Sequence, residues 1–403
     1  DNARIIFRNV PTNADSMLDK ISSINTQTGE FSSQIKGRRA RFIYAANRLL
    51  SGRICIASMI TSSTKVTLSN TIKYAKGRLS NGKTGKSDTP IFEYQLFQNQ
   101  IVPLLVRTLM YNIALLHIAK KYSHYITNED KYNQDQVNEI IRLCCCIKPL
   151  ICWHGNQVGN ICRERCGGQG YLSINMVEVN IYSAHSGITA EGDSAVLMQK
   201  VSKEYVEDFV KGIVQLPYEA FEEEETVKQF NQIKVLDSVQ SIIDLVKIRE
   251  SAILSALAEK TVSSPKEIYE TWMLKQSDLI QDVASTYGKR YTMEVFANST
   301  LFKSNDSPNS AVTNMLLLEG LGYIKLNLDW YLIKGFLSNQ AAALIDSQIS
   351  SLVKETSLYV DSILNGFNIP KPSLIAPIYT GYEKYYSVDK TDGEHYNKPL
   401  PKF

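Results

Sequence analysis

Cys166-Gly167-Gly168-Gln169-Gly170-Tyr171-Leu172, taken with Thr189-Ala190-Glu191-Gly192-Asp193, is the stretch around which the chain is organised. Long helical patterns flank it on both sides. Between its two pieces Asn175, Asn180, His185, Ser186 and Gly187 read as an irregular loop. Gly167, Gly168 and Gly170 carry no Cβ, so backbone there can approach something flat or phosphorylated, although the same cluster also fits a plain turn. Glu191, between Ala190 and Gly192, stands at the start of the next helical pattern. That placement suits a catalytic base beside a cofactor, and equally a carboxylate stabilised by the helix dipole.

Composition narrows the class. A chain of 403 residues, 44% apolar, can bury a large core and divide into two or three domains. Its 44 basic residues nearly balance 41 acidic ones, and no basic stripe with interleaved aromatics marks a nucleic-acid surface. Charges break the apolar runs short of the ~18 residues of a membrane span, so the expectation is a soluble protein. Six of seven cysteines fall between Cys144 and Cys166 in a helical pattern, which predicts packed, reduced thiols. The spacing of Cys162 and Cys166 with His154 lacks the paired ligands of a zinc site, so no metal is expected. The chain opens on Asp1 without a leader-like segment and reads as a piece of something longer or processed; Pro401-Lys402-Phe403 is not a peroxisomal address of the Ser-Lys-Leu type.

Along the chain, residues 1–34 read as extended, with Ile5-Ile6-Phe7 and Val10-Pro11 strand-like and a turn at Asn25, Thr26, Thr28 and Gly29. Such a short β remnant needs a partner for its edge. Phe42, Ala45, Ala46, Leu49, Ile56, Met59 and Ile60 recur at helical steps and predict one helix from Ile35 to about Arg78. The Asn81–Lys86 segment misses the Walker spacing and reads as a solvated turn. Further helices are predicted over 91–125, on Leu96, Ile101, Leu105 and Leu116, over 133–165, and over 194–213. Long neighbours with short connections predict a four-helix bundle over 35–214. Pro217 and Glu222 to Glu225 mark a solvated linker, and a second helical domain spans 215–403, with a helix start at Ser264-Pro265-Lys266-Glu267. The tail from Pro370 is expected to wrap over a surface. The predicted fold class is mainly α: two stacked helical bundles behind a short β remnant.

At the central stretch the residues resemble a known family. Cys162-Arg163-Glu164-Arg165-Cys166-Gly167-Gly168-Gln169-Gly170-Tyr171-Leu172 and Thr189-Ala190-Glu191-Gly192-Asp193-Ser194-Ala195-Val196-Leu197-Met198-Gln199 resemble the flavoprotein acyl-CoA oxidases of the acyl-CoA dehydrogenase superfamily. Asn47–Arg53, Tyr74–Arg78, Asp88-Thr89-Pro90-Ile91 with Tyr94-Gln95, and Trp272, Gln276, Ser277 and Asp278 follow in the family's order. The wording at Ser186–Gly192 looks closest to the plant and protist branch. Gly-Asp after the central carboxylate, where dehydrogenases read Gly-Thr, and the helical domain beyond 215 favour oxidase over dehydrogenase.

The resemblance implies the C-terminal portion of an FAD-dependent enzyme. Its reaction is α,β-dehydrogenation of a fatty acyl-CoA to the trans-2-enoyl-CoA, with O2 reduced to hydrogen peroxide. It makes Glu191 the base that takes the α-proton. It makes Arg78, Glu164, Gly167 and Gly168 contacts to the pyrophosphate and adenosine of FAD held by a neighbouring subunit, and sets Asp193 and Ser194 near the ribityl and phosphate end. A homodimer and a peroxisomal location follow from it, with mitochondria as the alternative. On the residues alone, Arg78 also reads as a helix-end cation. Ser80 stands where the family has Gln and Met176 where it has Arg, and the family's N-terminal helical and β domains precede the point where this chain begins. Two readings therefore stand: an oxidase whose N-terminal half lies outside this sequence or on a separate chain, and a non-catalytic, oxidase-derived subunit of a larger complex.

Overall fold

The structure is a computed structural model that describes residues 3–47, 49–263, 267–301 and 310–387. The expected helix start at Ser264-Pro265-Lys266, the family-like Arg48 and the terminal Pro401-Lys402-Phe403 lie outside the described residues. The chain is mainly α and forms two compact units, Asp1–Ser51 and Gly52–Phe403.

In the first unit β1 (Ser22–Ile24) pairs antiparallel with β2 (Phe31–Ser33) around the expected turn. Asn25 makes that turn, its Oδ1 accepting from the Gln27 and Thr28 amides at 2.9 and 3.2 Å while Gly29 takes φ +71°. Ile5-Ile6-Phe7 and Val10-Pro11 form no strand, which corrects the sequence expectation. Apolar, β-prone side chains make a strand only where a partner satisfies the backbone, and here the pairing goes to the segment that has a turn. α1 (Arg38–Asn47) follows, with the Arg41 guanidinium 5.1 Å from the Phe31 ring centroid.

The single helix expected over 35–78 is two, α1 and α2 (Leu50–Gly77). Neither Gly nor Pro stands at the break, so the apolar period runs through it unmarked. β3 (Leu79–Asn81) and β4 (Ser87–Pro90) then form a hairpin whose tip, Gly82–Lys86, is the solvent-facing turn that the missing Walker spacing indicated. α3 (Gln95–Thr127) and α4 (Gln134–Arg165) are long. Asn133 starts α4 with a capping box, its side chain accepting from the Gln136 amide at 2.9 Å and its own amide bonding Gln136 Oε1 at 3.0 Å. After α5 (Gly168–Tyr171) come α6 (Val177–Thr189) and α7 (Ser194–Val210).

The stretch expected as an irregular loop is therefore mostly α6. Its Asn180, Ser183, Ser186 and Gly187 are weak helix formers, and packing overrides them. A Cβ on Gly155 of α4 would stand 2.5 Å from Ile60 Cγ2 of α2, and one on Gly159 would stand 2.7 Å from Ile181 of α6. Ile181 meets Gly159 and Gly187 meets Cys152, so α6 runs antiparallel to α4. Arg142 bonds Asp208 at 2.6 Å and Lys148 bonds Ser194 at 3.3 Å, so α7 does too. α6 and α7 thus lie end to end along α4, one bundle member broken at 190–193.

The second bundle is built from α8 (Glu224–Asn231), α9 (Val239–Ser263), α10 (Ile268–Glu270) running into a π-helical turn at Thr271–Lys275, α11 (Ser277–Ala297), α12 (Ser310–Leu326), α13 (Leu328–Ile333), α14 (Asn339–Ser357) and α15 (Val360–Gly366). Glu222 to Glu225 are exposed as expected, but Glu224 and Glu225 open α8, where a helix N-terminus favours carboxylates. α11 packs on α9 and also on α3 and α7, so one apolar core continues from Leu68, Ile101 and Val158 through Leu245, Phe296 and Leu316 to Ile345. α16 (Pro377–Thr380) and α17 (Tyr382–Ser387) end the described chain, and Ala376 and Ile378 are buried against Tyr74 and Cys166.

Leu96 and Leu116 of α3 are each 62% exposed, while Ile101, Val102, Leu105 and Met110 form its buried face. α3 is also apolar and long enough to cross a membrane by composition, contrary to the reading that charges break every such run. However, 61% of its most apolar window is buried inside the protein, and Arg107, the charge that interrupts it, pairs with Glu319 at 2.7 Å. It is the core helix of the assembly. The thiols are packed as expected: Cys144, Cys145, Cys146, Cys152, Cys162 and Cys166 are buried and free, and burial pushes Cys144 up to about 12.

Candidate functional site

Glu191 sits in the gap between α6 and α7. Its φ is +57°, the left-handed region that residues with a Cβ avoid, followed by Gly192 at +110°. Backbone held this way, at a cost of about 1 kcal/mol or more, requires surroundings that over-determine it. Three side chains do so. The Lys148 Nζ donates to the carbonyls of Ile188 at 2.9 Å and Gly192 at 2.7 Å, and lies 3.3 Å from Ser194 Oγ. Ser194 Oγ itself donates to Ile188 O at 2.7 Å. Arg53 Nε donates to Glu191 O at 3.2 Å. On the far side Asp193 Oδ1 accepts from the Ala195 and Val196 amides, capping α7.

Lys148 is fully buried on α4, beside Pro149, and satisfies carbonyls that the end of α6 leaves without helical partners. Burial pulls its ammonium below the ordinary lysine value, and Cys152, Asp193 and Glu191 act the other way. The half-buried Glu191 carboxylate lies against Gly52 at the first turn of α2. A Cβ there would stand 2.5 Å from its Cδ and 2.6 Å from Oε2. A single carboxylate is thus presented on a rigid, cation-backed turn. Such a group can accept a proton from a weak carbon acid brought against it.

A second cluster forms around the glycines. Gly167 takes φ +56° and, like Gly168, is exposed with open space where a Cβ would stand. Glu164, exposed, lies 3.6 Å from Arg165. Arg78, exposed just past α2, follows Tyr74, which packs with Cys166 in a small buried group. Tyr382 stacks edge-on against Tyr74 at 5.3 Å, and its phenol is the main influence raising the Arg78 guanidinium above its ordinary value. Asn175, fully buried, ties these pieces together: its Nδ2 donates to Gln169 O and Oε1, and its Oδ1 accepts from the Ile378 amide at 3.1 Å. A bare backbone next to an exposed guanidinium suits a phosphate-bearing ligand.

The structure thus groups the candidates into two sets. Glu191, Asp193 and Ser194 share the break; Glu164, Gly167 and Gly168 lie at the glycine loop, and Arg78 is linked to it through Tyr74, which packs with Cys166. The sets stand at opposite ends of α2, whose 28 residues make it about 42 Å long. Ser194 is fully buried with its hydroxyl donated to Ile188, so it shapes the turn from inside. Sequence reasoning missed Lys148, Asn175 and Tyr382. A lysine in the otherwise apolar Cys144–Ile151 run was the available signal, since a cation at a core position needs partners.

Residues 47–206 match the family model of the acyl-CoA oxidase C-alpha1 domain. The chain is 26% identical to acyl-coenzyme A oxidase 3, peroxisomal, of Arabidopsis thaliana over 392 residues, covering 94% of this chain and 56% of that protein. It is 22% identical to the acyl-coenzyme A oxidase-like protein of Mus musculus over 395 residues, 94% of this chain and 61% of the other. Among solved structures, acyl-CoA oxidase 1 of Yarrowia lipolytica superposes with TM-score 0.81 at 17% identity, covering 98% of this chain and 60% of that one. Acyl-CoA oxidase-2 of Caenorhabditis elegans, bound with FAD, ascaroside-CoA and ATP, gives 0.80 at 14% identity over 98% and 61%. The chain is similar to acyl-CoA oxidases along nearly its whole length and spans about 60% of these relatives.

Proposed function

We propose that this chain, which carries the acyl-CoA oxidase C-alpha1 domain, is the C-terminal helical portion of an FAD-dependent fatty acyl-CoA oxidase. The reaction takes hydrogen from the α- and β-carbons of the thioester and yields the trans-2-enoyl-CoA, with the electrons passing to O2 as hydrogen peroxide. The observation that carries this reading is Glu191, a half-buried carboxylate on a left-handed turn locked by a buried lysine. An α-proton beside a thioester is a weak acid, so its base must be held in place rather than found by diffusion. Lys148 and Arg53 hold the turn from below, and Gly52 leaves the carboxylate room.

The residues present fit FAD at its nucleotide end. The open Gly167 and Gly168 backbone would allow close approach, Arg78 would offer a guanidinium to the diphosphate, and exposed Glu164 would meet the adenosine end. When bound, the flavin supplies the acceptor for the hydride. Gly52, against which Glu191 lies, and Arg78 stand at opposite ends of the 28-residue α2, so the two residues would serve different FAD molecules. Arg78 and the glycine loop then reach the FAD of a second copy, which makes the working unit a homodimer. The remaining wall of the acyl site belongs to the portion of the relatives that this chain does not span, in the same polypeptide or on a separate chain. Relatives from Arabidopsis thaliana and Homo sapiens carry peroxisomal names, and we place this protein in the same organelle.

The test is Glu191→Gln in the full-length protein. Flavin absorbance should persist while peroxide release on adding fatty acyl-CoA disappears. Unchanged peroxide release in the variant, or a colourless wild type, refutes the enzymatic reading. A colourless wild type with no peroxide release would instead support a non-catalytic, oxidase-derived subunit, the reading favoured by Ser80 and Met176.

A further inference from the structure

Arg78 is fixed in its backbone and exposed in its side chain. Its amide donates to Tyr74 O at 2.8 Å where α2 ends, and its carbonyl accepts from the Ile91 amide at 2.9 Å past the hairpin. The guanidinium stands on a long, solvent-facing side chain of a kind that keeps several rotamers in water. Ordering such a side chain on a ligand costs affinity unless the protein has already ordered it. The strap Ala376–Glu383, near the end of the described chain, supplies that order.

The strap is fastened before it reaches Arg78. Ala376 and Ile378 are buried in the small apolar group with Tyr74 and Cys166. The Ile378 amide donates to Asn175 Oδ1 at 3.1 Å, and Asn175 Nδ2 donates to Gln169 O at 2.9 Å, so the strap also grips the glycine loop. Gly381, at φ +126°, turns the chain between α16 and α17 in a conformation that residues with a Cβ avoid. That turn delivers Tyr382 edge-on to the Tyr74 ring at 5.3 Å. Tyr74 and Arg78 are four positions apart, neighbours on one face of the helix end, so the Tyr382 phenol arrives beside the guanidinium. The phenol donates its hydrogen to Glu383 Oε1 at 3.2 Å, which leaves its oxygen to accept from Arg78. This contact is the main influence holding the guanidinium above its ordinary value, with Tyr74 and, last, Glu383 adding to it. A neutral phenol steers the cation without cancelling its charge.

We propose that Tyr382 is a positioning residue of the FAD site, holding the Arg78 guanidinium in the pose that receives the diphosphate of the FAD carried by the second copy. The strap thereby builds Arg78 and the glycine loop into one binding surface. This inference rests on the reading of Arg78 as an FAD contact, and its test separates the two.

Fluorescence titration of deflavinated full-length protein with FAD tests it, in a double-mutant cycle of Tyr382→Phe and Arg78→Gln. Phenylalanine keeps the ring against Tyr74 and removes the accepting oxygen. FAD should bind about three- to tenfold more weakly to Tyr382→Phe, the cost of ordering one long side chain, while the flavin-free melting temperature stays at the wild-type value. In the Arg78→Gln background the same replacement should change nothing more. Wild-type affinity in Tyr382→Phe, with Arg78→Gln weakened, overturns the inference and leaves the FAD reading standing. Equal weakening by Tyr382→Phe in both backgrounds overturns it too, because the phenol would then act through something other than Arg78. An Arg78→Gln protein that binds FAD as wild type does, or a wild type that takes up no FAD, removes the reading and the inference together.

Discussion

Replacing Lys148 by methionine isolates the support of the Glu191 turn. Methionine nearly matches the volume and loses all three donated hydrogens. Ile188 O keeps its bond from Ser194 at 2.7 Å, whereas Gly192 O loses its 2.7 Å donor. An orphaned buried carbonyl costs about 1–3 kcal/mol, and a bond to a charged donor contributes about 1.5–3 kcal/mol. Removing a buried ammonium returns part of that. A net loss of about 3 kcal/mol is expected. For a unit of about 350 residues, at ~2.1 cal/mol/K each, it lowers Tm by about 4 °C. The loss should be local first. The Ala190 amide, bonded to Ser186 O at 2.9 Å at the end of α6, should exchange with solvent deuterium roughly a hundredfold faster, since ~1.4 kcal/mol is a factor of ten. In flavin-loaded full-length protein kcat should fall at least tenfold with KM for acyl-CoA unchanged, and Lys148→Arg, which keeps the charge and donors, should recover part of it. Unchanged exchange at 188–192 in the methionine variant would refute the support itself. Faster exchange with unchanged kcat would leave the support standing and remove Glu191 from catalysis.

Two further outcomes follow from particular contacts. Gly52→Ala would ordinarily stabilise a helix by about 1 kcal/mol, but its Cβ would fall 2.5 Å from Glu191 Cδ and displace the carboxylate. Tm should move by no more than about 1 kcal/mol equivalent while peroxide release drops at least tenfold; full turnover would show that the placement of Glu191 against α2 is irrelevant. Burial also keeps His154 neutral in the folded chain, well below its ordinary 6.5. Below that pH the unfolded chain takes up a proton that the folded chain refuses, so stability present above pH 6.5 is lost on acidification at about 1.4 kcal/mol per pH unit. Calorimetry from pH 7 to 5 should show this slope in wild type and a shallower one in His154→Gln, with His117, also lowered by burial, contributing alike in both. Equal slopes would refute the assignment.

Much of the helical framework was legible. α4 begins at the Asn133 capping box and its apolar period matches its buried face, so pattern and packing agree. The break between α1 and α2 was not, because nothing in Asn47-Arg48-Leu49-Leu50 interrupts the period. Nor was α6, whose polar and small residues are poor helix formers alone and become helical because Gly155 and Gly159 admit them against α4. Within the candidate site, residue type and spacing left Glu191 open between a base and a helix-end carboxylate and the glycines open between a cradle and a turn, because both signals are local; the resemblance to the acyl-CoA oxidases singled them out.

The amino-acid order by itself determined which segments are helical in the main, which glycines free the backbone, and which carboxylate stands alone between Ala190 and Gly192. Only the tertiary structure decided that α6 and α7 form one interrupted bundle member, that Lys148 of α4 fills the gap, and that Arg78 and Glu191 lie at opposite ends of α2. The reason is range. Propensity, caps and turns act over a few neighbouring residues, whereas the lysine and the carbonyls it serves are forty or more positions apart and meet only when the helices that carry them pack.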